Sequence, residues 1–146
     1  MYKKILIAID DSTVSEGALH HAIQLAQEQH AELHVAHVTD IVGITWAAVE
    51  LLEAYKDEGQ ALLNHALDLA SKAGLKAASS LLETGVVAPR AAEVLAEHAR
   101  LLSVDLVVLG SHGRRGMSHL FLGSVAEGAA RLCSMPVLIV HGPLKS

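Results

Sequence analysis

A single cysteine, Cys133, stands in this 146-residue chain, so no disulfide can form within it. An excess of positive charge is lacking too. Eleven Lys and Arg against 16 Asp and Glu leave a formal charge of −5, which gives no broad electrostatic reason to hold nucleic acid or an anionic membrane. The clearest basic cluster is local, Arg114 beside Arg115. No apolar run approaches the roughly 20 residues of a membrane span. The first apolar run, ILIAI at residues 5–9, is too short for a signal peptide and runs into Asp10 and Asp11, so the expected compartment is the cytoplasm.

Several chemical signatures are absent as well. The chain has no Gly-Lys-Ser/Thr phosphate loop, no G-x-G-x-x-G dinucleotide fingerprint and no G-x-S-x-G nucleophile elbow. No Ser-His-Asp order can be tied to one place, and without a recognisable base any turnover should be slow or absent. The histidines do not form a zinc set. His34 and His37, three apart in a strand, point to opposite faces, His20 and His21 diverge on a helix, and His112 and His119 have no cysteine or acidic companions at zinc spacing. No metal site built by protein ligands is expected. Repeats, linkers and low-complexity tracts are also missing, and with 51% apolar residues the expectation is one domain, residues 1–146, with a substantial core.

What is present is an alternation of strand and helix patterns. Residues 5–9 read as a buried central strand. Thr13 with Glu16 makes a plausible capping box for a helix reaching about Glu28, with Val14, Ala18, Ala22 and Leu25 on its inner face. Residues 32–38 alternate as a second strand. Residues 46–73 carry a long helical pattern, with Gly59 as the expected kink and Gly74 just past the end. Residues 75–82 read as a weak third strand, rich in Ala, Ser and Lys and suited to a sheet edge. Pro89 fits the first position of a third helix, whose inner face is Ala92, Leu95, Ala96, Ala99 and Leu102. A fourth strand at residues 104–109, a last helix at 124–132 and a short strand at 137–140 complete the chain. The class is α/β with a parallel sheet and right-handed crossovers.

Residues 104–127, VDLVVLGSHGRRGMSHLFLGSVAE, stand out because they join a buried strand to a glycine-punctuated loop and then to a helix start. Gly110 and Gly113 are spaced G-x-x-G, and nine residues later come Gly123 and Ser124, with Ser124 to Glu127 matching the S-x-x-E capping box. Glycines permit positive φ and close approach of backbone to ligand, and the N–H groups of a helix start favour phosphate. Read blandly, the glycines are turn residues and Ser124 is only an N-cap. Asp10 likewise reads either as a turn former or as an acceptor for sugar hydroxyls.

The stretch resembles the nucleotide-binding signature G-x-x-G-x9-G-S/T of the universal stress protein family, met here by Gly110, Gly113, Gly123 and Ser124, and the resemblance runs from KKILIAIDDS at the start to SMPVLIV at the end. It implies a five-stranded parallel sheet of order 3-2-1-4-5 with helices on both faces, and ligand binding where the strand order reverses. It further implies ATP as ligand, with Mg²⁺ or Mn²⁺ carried on the phosphates, and a site of Ala8, Asp10, Val38, Gly110, Gly113, Arg114, Gly116, Gly123, Ser124 and Val125. In it Asp10 contacts the nucleoside, and the backbone of Val38 holds adenine. The glycine-rich turn of pyrophosphatase-type relatives is replaced by Asp10-Asp11-Ser12-Thr13, so that chemistry is not indicated. The resemblance also implies a homodimer through the last strand and a regulatory protein partner. The expected function is a stress response signalled by nucleotide binding, the alternatives being a slow ATPase switch and a dimeric interaction module with an empty cradle.

Overall fold

A computed structural model describes residues 1–45, 48–112 and 122–142. The elements are β1 (Lys4–Ala8), α1 (Thr13–Gln29), β2 (Glu32–Thr39), α2 (Val49–Lys72), β3 (Ala77–Glu83), α3 (Ala91–Leu102), β4 (Leu106–Gly110), α4 (Ser124–Leu132) and β5 (Val137–Val140). The strands form one parallel sheet in the order β3-β2-β1-β4-β5. Strand periodicity then sorts the apolar side chains into two cores. Ile5, Ile7, Val35 and Val108 meet Leu19, Ala22, Leu63 and Ala66 of α1 and α2 on one face. Leu6, Ala36, Val107 and Leu109 meet Leu95, Ala99, Ala126 and Ala129 of α3 and α4 on the other. Ile5, Leu6 and Ile7 are fully buried, which is why β1 is a continuous apolar run with no polar face. Helices thus cover both faces, and β1 and β4 lie side by side at the centre, with Leu6 opposite Val107.

Local chemistry shifts several boundaries from those expected. Ser12, not Thr13, caps α1: its Oγ accepts the Ser15 N–H at 3.1 Å, and Thr13 is the first helical residue. α2 is one unbroken helix through Gly59. That glycine serves close packing, since a Cβ there would sit 2.6 Å from His37 Cδ2 and 2.8 Å from Leu81 Cδ1. Gly74 follows the helix with φ +82°, as its expected role requires. β3 is an edge strand but starts later than expected, because the Leu75 N–H is still bonded to Ala70 O at the end of α2. Pro89 does not open α3. Its carbonyl accepts the Gly85 N–H at 3.0 Å within the preceding loop, and Glu93 reaches back to the Arg90 N–H at 3.4 Å to start the helix at Ala91. Gly128 lets α4 close on Ala92 of α3, where any Cβ would clash. Among the described residues no helix is long and apolar enough to cross a membrane.

Candidate functional site

The place where the strand order reverses lies between β1 and β4, because the chain leaves β1 for α1 on one face and leaves β4 toward α4 on the other. In an open α/β sheet the connections diverge at such a point and leave a crevice at the strands' carboxyl ends. Asp10 sits two residues beyond the end of β1. Its N–H donates to Ser15 Oγ at 2.8 Å, and its Oδ1 accepts the Ser12 N–H, also at 2.8 Å. Ser12 Oγ in turn takes the Ser15 N–H, so Asp10, Ser12 and Ser15 form a closed set that fixes the turn into α1. Asp10 is therefore a turn former in fact. One carboxylate oxygen is spent on that role, and Oδ2 has no hydrogen bond among the described residues.

Val38 owes its interest to a difference in strand length. β1 ends opposite Ala36, whereas β2 continues to Thr39. In a parallel sheet, successive residues direct their N–H and C=O to alternate neighbours. Ala36 O accepts the Ile9 N–H at 2.9 Å, so Ala36 faces β1; Thr39 O accepts the Thr84 N–H at 3.0 Å and faces β3. Val38 lies between them in this alternation, and its peptide groups point toward β1 at a level that β1 no longer reaches. The exit of β1 is fastened by His37, whose Nδ1 is 2.8 Å from Ile9 O. A carbonyl only accepts, so Nδ1 carries the proton. Near this end the buried Thr39 Oγ1 has no partner among the described residues.

On the β4 side the glycines behave differently from the expectation. Gly110 and Gly123 are not in the positive-φ region; Gly123 has φ −64°. Gly110 is required by packing: a Cβ there would lie 2.8 Å from Val14 Cγ1 and 3.3 Å from both Ser15 N and Val14 C. Its missing side chain lets the start of α1 close on β4. Ser111, fully buried, follows it and ties three parts together. Its N–H donates to Val140 O at 2.9 Å, its carbonyl accepts the Gly123 N–H at 2.7 Å, and its Oγ is 2.9 Å from His112 Nδ1. The bond to Gly123 closes the loop between β4 and α4 at its two ends. Sequence reading passed over Ser111 and Ser15, since a serine beside a glycine loop carries no signal of the long-range bond it makes.

Ser124 is not the N-cap. Gly123 holds that position, its carbonyl accepting the Glu127 N–H at 2.9 Å, and Ser124 is the first residue of α4. Gly123 has no side chain with which to cap the helix. The Ser124 hydroxyl is thus released from the competition that a capping box would impose, and the N–H groups of Ser124, Val125 and Ala126 form the positive end of the helix dipole. Ala8 closes β1 beside this crevice. Gly113, Arg114 and Gly116 lie outside the described residues. Elsewhere a groove of about 520 Å³ runs along α3, lined by Leu82, Pro89, Val94, His98 and Leu101, away from the carboxyl ends of β1 and β4.

Comparison with known proteins gives this geometry a context. The family model described as the universal stress protein family matches residues 1–141. A universal stress protein of Methanocaldococcus jannaschii is 37% identical over 152 residues, covering 99% of this chain and 85% of the relative. A universal stress family structure from Burkholderia pseudomallei is 30% identical with a TM-score of 0.76, covering 95% of this chain and 96% of that one. A universal stress protein solved in complex with cAMP is 28% identical with a TM-score of 0.73, covering 97% and 99%. The matched residues take in β1 with its turn, β4 and α4, and on this agreement of sequence and architecture the chain belongs to the universal stress protein family.

Proposed function

We propose that this chain binds an adenine nucleotide, ATP, in the crevice between β1 and β4 and serves a cytoplasmic stress response through binding rather than rapid catalysis. The observation that carries the proposal is the start of α4, which has a glycine instead of a capping side chain at its N-cap and is pinned to the end of β4 by the Gly123 to Ser111 bond. Preorganised N–H groups at a helix start favour phosphate without reorganisation on binding. In this reading Ser124 and Val125 meet the phosphates, together with Gly113, Arg114 and Gly116 of the loop. Asp10 Oδ2 accepts from the ribose, and the backbone of Val38 takes the adenine edge beside Ala8. Gly110 and Gly123 contribute indirectly, the first by packing β4 on α1 and the second by closing the loop. The cAMP complex of a relative supports the ligand class. Mg²⁺ or Mn²⁺ enters on the phosphates, whose oxygens it prefers to a dedicated protein cage.

We also propose a single domain that pairs through β5 into a homodimer and signals to a regulatory protein partner. β5 has four apolar residues, all half-buried, at the edge of the sheet. Such an edge favours being covered. Mass spectrometry of gently purified protein, followed by calorimetry, tests the ligand. A co-purifying adenine nucleotide and a saturable ATP isotherm are expected; no ATP binding at millimolar concentration would overturn the reading.

A further inference from the structure

His34 of β2 and His98 of α3 meet in the interface between the sheet and its second helical layer, with ring centroids 6.3 Å apart and planes at 69°. His34 stands opposite Leu6 of β1 and Ala78 of β3, so the neighbouring strands offer it no charged side chain at that register. His98 Nε2 is buried and has no hydrogen-bond partner among the described residues. Leu95, Ala99 and Leu102 make the packing here apolar, while His98 also lines the α3 groove together with Glu83, Glu93 and Glu97.

The charged groups that reach the pair are few. Lys4 of β1 donates to Leu102 O at 3.1 Å and stands 3.9 Å from Glu32, the carboxylate at the start of β2. On α3, Glu97 is held by Arg100, and Glu93 is turned back to the Arg90 N–H. Glu83 of β3 is paired with Lys56 at 3.4 Å, and the carboxylate of Asp105, just before β4, takes the N–H groups of Lys3 and Lys4. Glu32, whose charge acts on His34, is largely exposed and drawn to Lys4.

We propose that the His34–His98 contact is an acid-sensitive latch between β2 and α3, closed while both rings are neutral and released when either takes up a proton. A protonated ring would need a partner for its new charge and would find Lys4 and a second imidazole instead. Burial first, and Lys4 second, hold His34 below its ordinary range against an opposing pull from Glu32; burial first, and His34 second, hold His98 low. A histidine whose folded value is depressed stabilises the fold above its unfolded value of about 6.5 and costs stability as pH falls below it. The latch therefore opens on the acid side.

Release would act on the end of β2. α3 continues from residues 84–90, and that loop is bonded to the segment after Val38 through Thr84 N–H to Thr39 O, Ile41 N–H to Thr84 Oγ1 and Gly43 N–H to Val86 O. The inference does not depend on nucleotide binding.

Amide hydrogen exchange tests it, with rates corrected for the intrinsic effect of pH. Between about pH 7.5 and about pH 5.5, protection across α3 should fall several-fold more than across β4. In His98→Leu, which keeps the apolar packing and removes one of the two titrating rings, that extra loss should shrink. In His34→Gln, a second route should His98→Leu fail to fold, the His98 ring should titrate at higher pH in NMR, because His34 no longer competes with it for charge. Equal losses in α3 and β4 of the wild type, an undiminished α3 loss in either variant, or an unmoved His98 titration in His34→Gln would overturn the latch.

Discussion

Replacing Gly110 by alanine asks why the first glycine of the signature is a glycine. The added Cβ would lie 2.8 Å from Val14 Cγ1, which can yield, and 3.3 Å from Ser15 N and Val14 C, which belong to the backbone of the first turn of α1. That turn is fixed by the Ser12 cap and by Asp10, so it has little freedom to retreat. Overpacking of this kind costs about 1–3 kcal/mol. For a domain of this length each kcal/mol lowers Tm by roughly 2–4 °C, so a fall of about 2–12 °C is expected. Scanning calorimetry of Gly110→Ala, Val14→Ala and the double variant measures it. Val14→Ala removes the closest clash, so the double variant should be more stable than the two single losses added together, with a coupling of at least about 0.5 kcal/mol. Recovery should be incomplete, because the backbone contacts at 3.3 Å remain. A Gly110→Ala protein with wild-type Tm and a selective loss of ATP affinity would refute the packing argument and restore Gly110 as a point of phosphate approach.

Ser12→Ala should cost about 1 kcal/mol, read by urea unfolding, since it removes the side-chain cap of α1; an equal cost for Thr13→Ala would contradict the observed cap. Leu138→Lys should convert a dimer into a monomer in sedimentation experiments while the circular dichroism spectrum stays native, and an unchanged dimer mass would remove β5 from the interface. Asp105 is held below the usual carboxylate range first by the N–H of Lys3 and then by that of Lys4. Its contribution is present above the unfolded value of about 3.9 and is lost as pH falls through the folded one. The wild type should consequently lose more stability than Asp105→Asn between about pH 6 and pH 3; parallel curves would contradict this.

The strand and helix order was legible in the sequence because burial on both sides makes β1 and β4 unbroken apolar runs, and because Gly74 closes α2 as its conformation requires. Cap positions were less legible. Thr13 to Glu16 and Ser12 to Ser15 both offer a cap, one residue apart, and the choice falls to Ser12 because Ser15 also receives the Asp10 N–H, a bond outside the helical pattern. The same holds at α4, where the Gly123 bond to Ser111 sets the start of the helix one residue ahead of the S-x-x-E match. Gly59 looked like a kink and Gly110 like a point of close approach to a ligand, whereas the packing each serves comes from neighbours distant in sequence, His37 and Leu81 for one and Val14 for the other. The open peptide edge of Val38 follows from β1 ending before β2, a length difference visible only once the register is known.

The account's central claim is that an adenine nucleotide occupies the crevice between β1 and β4, and amide chemical shifts recorded during titration with ATP test it most directly. The account predicts saturable shifts at Val38, at Asp10 and at Ser124, Val125 and Ala126, with adenosine alone moving Val38 but leaving the α4 start in place. Saturable shifts confined to the α3 groove around Leu82, Val94 and His98, or none at millimolar ATP, would contradict it.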